Sequence, residues 1–469
     1  MPDKYHIKTR PVPPRRPRIG RCGVVDWRED CAGCHNCVKR ACVFDRYREE
    51  TTYIRDMREM EALFFQCMGC FSCVQQCTKG LLSLSLNPVY ERLGNSYWTP
   101  QVIETTWAQA ETARIPVSGA GYRGPFSGAG FDSMWTDMSE IVRPTRDGIH
   151  GREYISTAVD IGRKPSLLPF ENGAPLNDLP PLVDIPIPMI IDMMPQGYRL
   201  PNLPPIFKVV AGRTGTIALV DFDDWNLLGN DLEQYLPGLA AYLSPSSNLP
   251  APALLKKMRL VEVGDGEGLE QRIAGLKAVN PSIVVAVRID LDARGVVRSI
   301  ELAEKPYIEA LHLAADAGGN ELNAESPRFI KDMLRQAHTE LVRRGIRNEV
   351  TLIAGGGIAL AEHMAKQIIC GADLVSVDLP LLIALECTLC RQCNDGLNCR
   401  AGIREIDADY GVGRMVNLIA AWHDQLIEVM GAMGIRDVRR LRGETGRALF
   451  FEELEEASFG KLFGKRNDS

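Results

Sequence analysis

Residues 350–399 read VTLIAGGGIALAEHMAKQIICGADLVSVDLPLLIALECTLCRQCNDGLNC. Val350–Ala354 is a short apolar run closed by three glycines. Ala359–Cys370 then carries apolar side chains at helical spacing, and Leu374–Val377 is a second apolar run. Strand, tight turn, helix and strand in that order make a βαβ unit. The alternation extends upstream through Met189–Met193, Thr216–Val220, Leu260–Val263, Ile283–Ile289 and Ala310–Leu313, with helical segments at Gly268–Ala278 and Arg328–Arg344. With one further strand obscured, eight units over roughly 210 residues suit a (β/α)8 barrel, which typically takes about 250. An open doubly wound sheet is the alternative, and it loses ground because no G-x-G-x-x-G follows an early strand.

The same stretch ends in cysteines. The chain has fourteen, and only Cys22 and Cys370 stand outside three tight groups. Cys370, in an apolar run, reads as a buried small hydrophobe. The first group is Cys31, Cys34, Cys37 and Cys42 in CAGCHNCVKRAC; the second is Cys67, Cys70, Cys73 and Cys77 in CMGCFSCVQQC. The third is Cys387, Cys390, Cys393 and Cys399. A C-x2-C-x2-C run lets one short turn wrap three corners of a cubane, with the fourth thiolate arriving from elsewhere. Zinc sites favour cysteine pairs, and disulfides are rare in a reducing compartment. Three iron–sulfur clusters are therefore expected. Four thiolates in the third group favour [4Fe-4S] over [3Fe-4S].

Residues 22–85 resemble the bacterial two-cluster ferredoxin module. That resemblance implies crossed ligation: Cys31, Cys34, Cys37 and Cys77 on one cluster, and Cys67, Cys70, Cys73 and Cys42 on the other. The chain from about residue 180 to 445 resembles the flavin-binding barrel of glutamate synthases, where a cysteine loop follows the last strand. The likeness rests on LLIALECTLCRQCNDGLNC, on Asp316-Ala317-Gly318-Gly319, and on Gly355-Gly356-Gly357. It also takes in Met433-Gly434-Ile435-Arg436-Asp437 and Arg442-Gly443. It implies FMN, with Arg288 where the family has a lysine beside the flavin, a glycine loop at Gly318 and Gly319, and a phosphate-cradling turn at Gly355, Gly356 and Gly357. Barrels do place phosphates after their seventh and eighth strands. One departure bears on this: Asp378-Leu379 stand where the family has Gly-Thr, and a carboxylate would repel a phosphate.

These readings divide the chain into a basic arm (1–21), a ferredoxin-like 2[4Fe-4S] module (22–90), a connector and barrel-covering segment (91–180), an α/β barrel (181–386), and the cluster loop with C-terminal helices (387–469). The arm, with Lys4, Lys8, Arg10, Arg15, Arg16 and Arg18, reads as a solvated tail or a dock for an acidic partner. In the connector, Arg123, Arg143, Arg146, Arg152 and His150 either grip an anion over the barrel mouth or pin the module by ion pairs. Among the isolated histidines, His312 on a predicted strand is a candidate for the mouth, and His423 beside Trp422 a core residue. A net charge of −6 gives no nucleic-acid signature. No apolar run approaches the roughly 18 residues of a membrane span, and no apolar leader precedes the barrel; a cytoplasmic protein is expected.

Residue 2 is proline and the first cysteine is Cys22. The amidotransferase and β-helix parts that the resemblance implies are thus expected on separate polypeptides, in a hetero-oligomer with other redox subunits or a donor protein. The function expected is an iron–sulfur flavoprotein oxidoreductase that passes electrons through the clusters to FMN and a small acceptor. The alternative is an electron-transfer or scaffold subunit with a degenerate barrel.

Overall fold

The computed structural model describes residues 5–16, 19–25, 70–81, 84–115, 128–136, 154–172, 174–175, 180–391, 399, 401–458 and 460–463. The chain forms two compact units. One comprises Met1–Val12, Thr105–Cys387 and Arg391–Ser469; the other comprises Pro13–Glu104 and Thr388–Cys390.

The larger unit is built on a closed, all-parallel, eight-stranded barrel. Its strands are β1 Met189–Ile191, β2 Ala218–Asp221, β3 Leu239–Leu243, β4 Leu260–Gly264, β5 Val284–Asp290, β6 Ala310–Ala314, β7 Thr351–Gly355 and β8 Leu374–Val377. Each pairs with the next, and β8 closes on β1 through Val375 opposite Met189. All seven expected strands fall in the barrel, and the obscured one is β3. The strands are buried along nearly their whole length, as parallel strands covered on both faces must be. The helices are α1 Leu203–Thr214, α2 Leu269–Val279, α3 Gly295–Ala303, α4 Ile330–Arg343, α5 Ala361–Ile369 and α6 Leu379–Ala384. The open-sheet alternative is thereby excluded.

After the barrel, α7 Ala408–Ala432 runs for 25 residues and packs against α5 and α1. Trp422 and His423 are buried on it, and His423 Nε2 lies 3.1 Å from Thr157 Oγ1, a satisfied core histidine. Arg414, on the same helix, has no exposed area. Its guanidinium donates to the carbonyls of Ala384 at 2.5 Å, Val12 at 3.0 Å and Trp107 at 3.2 Å. Asn417 Nδ2 donates to Arg10 O at 2.7 Å and Ala110 O at 3.0 Å. The backbone of the basic arm is therefore clamped to α7 at Arg10 and Val12 rather than left as a free tail, while Lys8, Arg10, Arg15 and Arg16 stay exposed.

In the smaller unit, strand Cys22–Val25 pairs antiparallel with Leu84–Leu86, Cys22 opposite Leu86. In the sequence these two strands flank the stretch that carries the first two cysteine groups, Cys31 to Cys77. Asn87 Nδ2 fastens the ribbon to Gly20 O at 2.9 Å. Among the described residues no helix is long and apolar enough to cross a membrane.

Arg414 is a fully buried cation whose guanidinium donates to three backbone carbonyls. Its replacement by methionine strands those acceptors, each at a cost of roughly 1–3 kcal/mol. Arg414→Met is expected to lower unfolding free energy by about 2–4 kcal/mol, read from the denaturant midpoint; a loss below half a kcal/mol would show that the arm is not held this way.

Candidate functional site

The barrel interior carries charge. Arg288 on β5 points inward, and its Nη1 donates to Asp192 Oδ1 at 2.9 Å and to Glu262 Oε1 at 3.2 Å, while Nη2 donates to Asp192 Oδ2 at 3.2 Å. His312 on β6 has Nδ1 at 2.8 Å from Glu262 Oε2 and Nε2 at 2.9 Å from Ser376 Oγ. Ser376 on β8 in turn donates to Asp192 Oδ2 at 2.8 Å. The register makes this meeting possible: Arg288 stands opposite His312, and Ser376 opposite Gly355. Tyr242 of β3 lies with its ring centre 6.0 Å from the guanidinium carbon.

Burial pushes the Asp192 carboxyl up, but Arg288 and His312 beside it outweigh that and hold it well below the usual range. Burial opposes the charge of Arg288 too, and Asp192 and Glu262 overcome it, raising its affinity for the proton. His312, expected at the mouth, is fully buried inside the barrel. Arg288 is as expected on a strand, with 19% of its side chain exposed. Asp192, Glu262 and Ser376 were not singled out from the sequence. Each is one polar residue in an apolar run: Glu262 and Ser376 lie on strands and Asp192 directly follows β1.

Two glycine loops crown the barrel. In Gly355-Gly356-Gly357 the latter two have φ of 101° and 71°. A Cβ on Gly357 would come within 2.7 Å of Gly319 Cα, and one on Gly356 within 2.5 Å of Asp316 O. A Cβ on Gly355 would meet Ser376 Oγ at 2.3 Å. These glycines are thus required by the approach of the β6 loop and of the interior network. Gly318 and Gly319 give their N–H groups to Asp316, to its Oδ1 at 2.8 Å and its carbonyl at 2.9 Å. They form the platform on which Gly357 rests.

FMN needs a phosphate cradle and a cation near its ring. The left-handed turn at Gly356 and Gly357, leading into α5, fits the first, and Arg288 fits the second. Asp378, at the end of β8, accepts from Leu379 N–H at 2.6 Å. Burial, reinforced by Asp192, pushes its carboxyl up to about 7. Below that pH the group is neutral and compatible with a phosphate.

The cysteines sit in an unusual backbone. Of the described non-glycine residues with positive φ, Phe71 follows Cys70, Glu386 precedes Cys387, and Leu389 and Arg391 flank Cys390. Such residues cost on the order of 1–3 kcal/mol each and gather at functional sites. Alternation of handedness also turns successive N–H groups to one side, which suits an anionic cluster. Leu81 N–H already donates to Cys77 Sγ at 3.3 Å. Cys387 is buried, Cys73, Cys77 and Cys399 are half-buried, and Cys70 and Cys390 exposed. Among the described residues no three ligating side chains converge on one point. Cys31, Cys34, Cys37, Cys42, Cys67 and Cys393 lie outside the described residues, as do Arg123, Arg143, Arg146, His150 and Arg152. Cys370 is fully buried and its thiol pushed up to about 12 by burial, a structural residue.

Residues 245–436 match the conserved region of glutamate synthases. The chain is 26% identical to an archaeal-type glutamate synthase (NADPH) of Dehalococcoides mccartyi, over 92% of this chain and 96% of the relative. It is 24% identical to the archaeal glutamate synthase (NADPH) of Archaeoglobus fulgidus, over 92% and 95%. A shorter likeness, 23% over 190 residues, reaches the glutamate synthase (NADPH) large chain of Azospirillum brasilense, covering 38% of this chain and 12% of that one.

Asp378 gives this site a pH signature. Its folded pKa lies above the unfolded value, so between the two the folded chain holds the extra proton and stability falls as pH rises. Asp378→Asn keeps the cap and removes the penalty. The variant is expected to gain on the wild type from pH 4 to 7, by on the order of 3 kcal/mol in total, and by nothing further above pH 8. Parallel denaturation curves across that range would contradict it.

Proposed function

We propose that this protein is an iron–sulfur oxidoreductase of the glutamate synthase type, with FMN seated at the barrel mouth. What carries the reading is the continuous match over residues 245–436, which takes in the last barrel strands, the glycine turn and the cysteine loop together. Electrons would enter through clusters on Cys31, Cys34, Cys37, Cys42, Cys67, Cys70, Cys73 and Cys77, and reach a third cluster on Cys387, Cys390, Cys393 and Cys399. FMN, when bound, would exchange single-electron transfers for the two-electron reduction of a small acceptor such as an imine. Gly355, Gly356 and Gly357 would hold its phosphate end, supported from below by Gly318 and Gly319. Arg288 would present a fixed guanidinium to the ring edge, its orientation set by Asp192. The donor protein, and any amidotransferase or β-helix part, would come from partner chains in a hetero-oligomer.

A second reading has one observation in its favour. Three Arg288 hydrogen bonds go to Asp192 and Glu262, so the guanidinium answers to the barrel's own carboxylates. A barrel that serves only as a scaffold for electron-transferring clusters would look the same.

Anaerobically purified protein separates the two. The enzyme reading expects flavin absorbance near one FMN per chain alongside a full iron complement. Iron-loaded protein without flavin, and without uptake of added FMN, would overturn it in favour of the scaffold.

A further inference from the structure

A phosphate at the mouth of a (β/α)8 barrel is held by backbone N–H groups that follow the seventh and eighth strands, with a short helix contributing its N-terminal end. The two halves of that cradle differ here. After β7, no protein acceptor among the described residues takes the N–H of Gly356 or Ile358. Helix α5 then starts at Ala361, and Leu360 at its N-cap makes no side-chain cap. This half has donors to offer. After β8 the donors are spent. Leu379 N–H goes to Asp378 Oδ1 at 2.6 Å. Pro380 has no N–H, and Leu381 N–H goes to Asp378 O at 2.9 Å. The first three positions of α6 therefore present no donor, and what stands there is a carboxyl group.

The strand register sets that carboxyl beside the open half. Gly355 stands opposite Ser376, so Gly357 and Asp378, two residues further on, leave neighbouring strands at the same end of the barrel. Asp192, which follows β1, donates its N–H to Val377 O at 2.9 Å and lies on the other side. The nearest cation is already committed: Arg288 gives its hydrogen bonds to Asp192 and Glu262. Among the described residues no cation pairs with Asp378, and Asp192 and Arg288 are the charged groups that act on it. At pH 8, above the value near 7 to which burial and Asp192 push it, the group is an unpaired carboxylate.

We propose that Asp378 is a specificity-determining residue that fills the β8 half of the phosphate cradle with the chain's own anion, so that the barrel mouth takes a flavin with little preference for its terminal phosphate, riboflavin nearly as well as FMN. The inference rests on the cofactor reading above and adds which part of the flavin the site recognises. The donors after β7 attract a phosphate, and the Asp378 carboxylate repels it; the two effects oppose each other at one place. A flavin without the phosphate meets neither. Asp378 could serve α6 simply as a cap. In that case its replacement would disturb both flavins alike, whereas a charge set against the phosphate acts on FMN and not on riboflavin.

Titration calorimetry at pH 8 tests this on the full-length chain, purified without oxygen and freed of flavin, with riboflavin and FMN as the two probes. The wild type is expected to bind both, with affinities within about tenfold of each other. Asp378→Asn keeps the cap and removes the charge; Asp378→Gly also releases Leu379 N–H. Each is expected to tighten FMN by roughly tenfold or more and to leave riboflavin within about twofold of its wild-type affinity. A wild type that prefers FMN by more than about tenfold overturns the proposal, as do variants in which the ratio of the two affinities stays where it was. Where a variant does not fold, the wild-type ratio decides. If neither flavin binds the wild type or either variant, the cofactor reading fails and this proposal with it; flavins that bind with the wrong ratio defeat this proposal alone.

Discussion

Two carboxylates, Asp192 and Glu262, stand almost wholly removed from solvent inside a closed barrel, and the barrel holds together only if their charge is met there. An isolated buried carboxylate costs many kcal/mol, which a folded domain of ordinary stability cannot carry. Arg288 meets both, and His312 and Ser376 complete the set. This has a structural consequence beyond the ion pairs themselves. Gly355 must lack a side chain because the network fills the space where a Cβ would sit, and the turn that follows inherits its position from that strand end. The glycine loops, the close of the barrel at β8 and the start of α6 under Asp378 are all arranged around one polar core. Replacing such a core with apolar groups is often neutral or stabilising, so its presence points to a task at the mouth rather than to stability.

The cysteine loops follow a different logic. Their residues accept left-handed conformations that a branched or long side chain resists. A free loop would relax out of them. Thiolates bound to a rigid cluster, with N–H groups turned toward its sulfides, would repay that cost. The antiparallel ribbon of Cys22–Val25 with Leu84–Leu86 brings together the two ends of the stretch in which the first two cysteine groups lie.

Much of the barrel was legible because parallel strands buried on both faces announce themselves as short branched runs. Leu239–Leu243 escaped because two 3-10 turns, Phe222–Leu228 and Leu232–Gly238, precede it where a long amphipathic helix would have marked the unit. Arg288 and the glycine turns were visible through the resemblance, and His312 as a titratable residue on a strand. Asp192, Glu262 and Ser376 were not, because their meeting depends on the stagger of strands around the barrel, which no local pattern encodes. The basic arm misled for a similar reason: Lys8, Arg10, Arg15 and Arg16 are exposed, but its backbone at Arg10 and Val12 is held by Asn417 and Arg414, some four hundred residues away in the chain.

The proposed electron path requires twelve thiolates to bind iron. Mössbauer spectroscopy of 57Fe-labelled protein, prepared without oxygen, counts that iron by type. Three cubanes predict about twelve iron atoms per chain, nearly all in valence-delocalised [4Fe-4S] signatures. Iron well short of eight atoms per chain, or a metal content dominated by zinc, would contradict it.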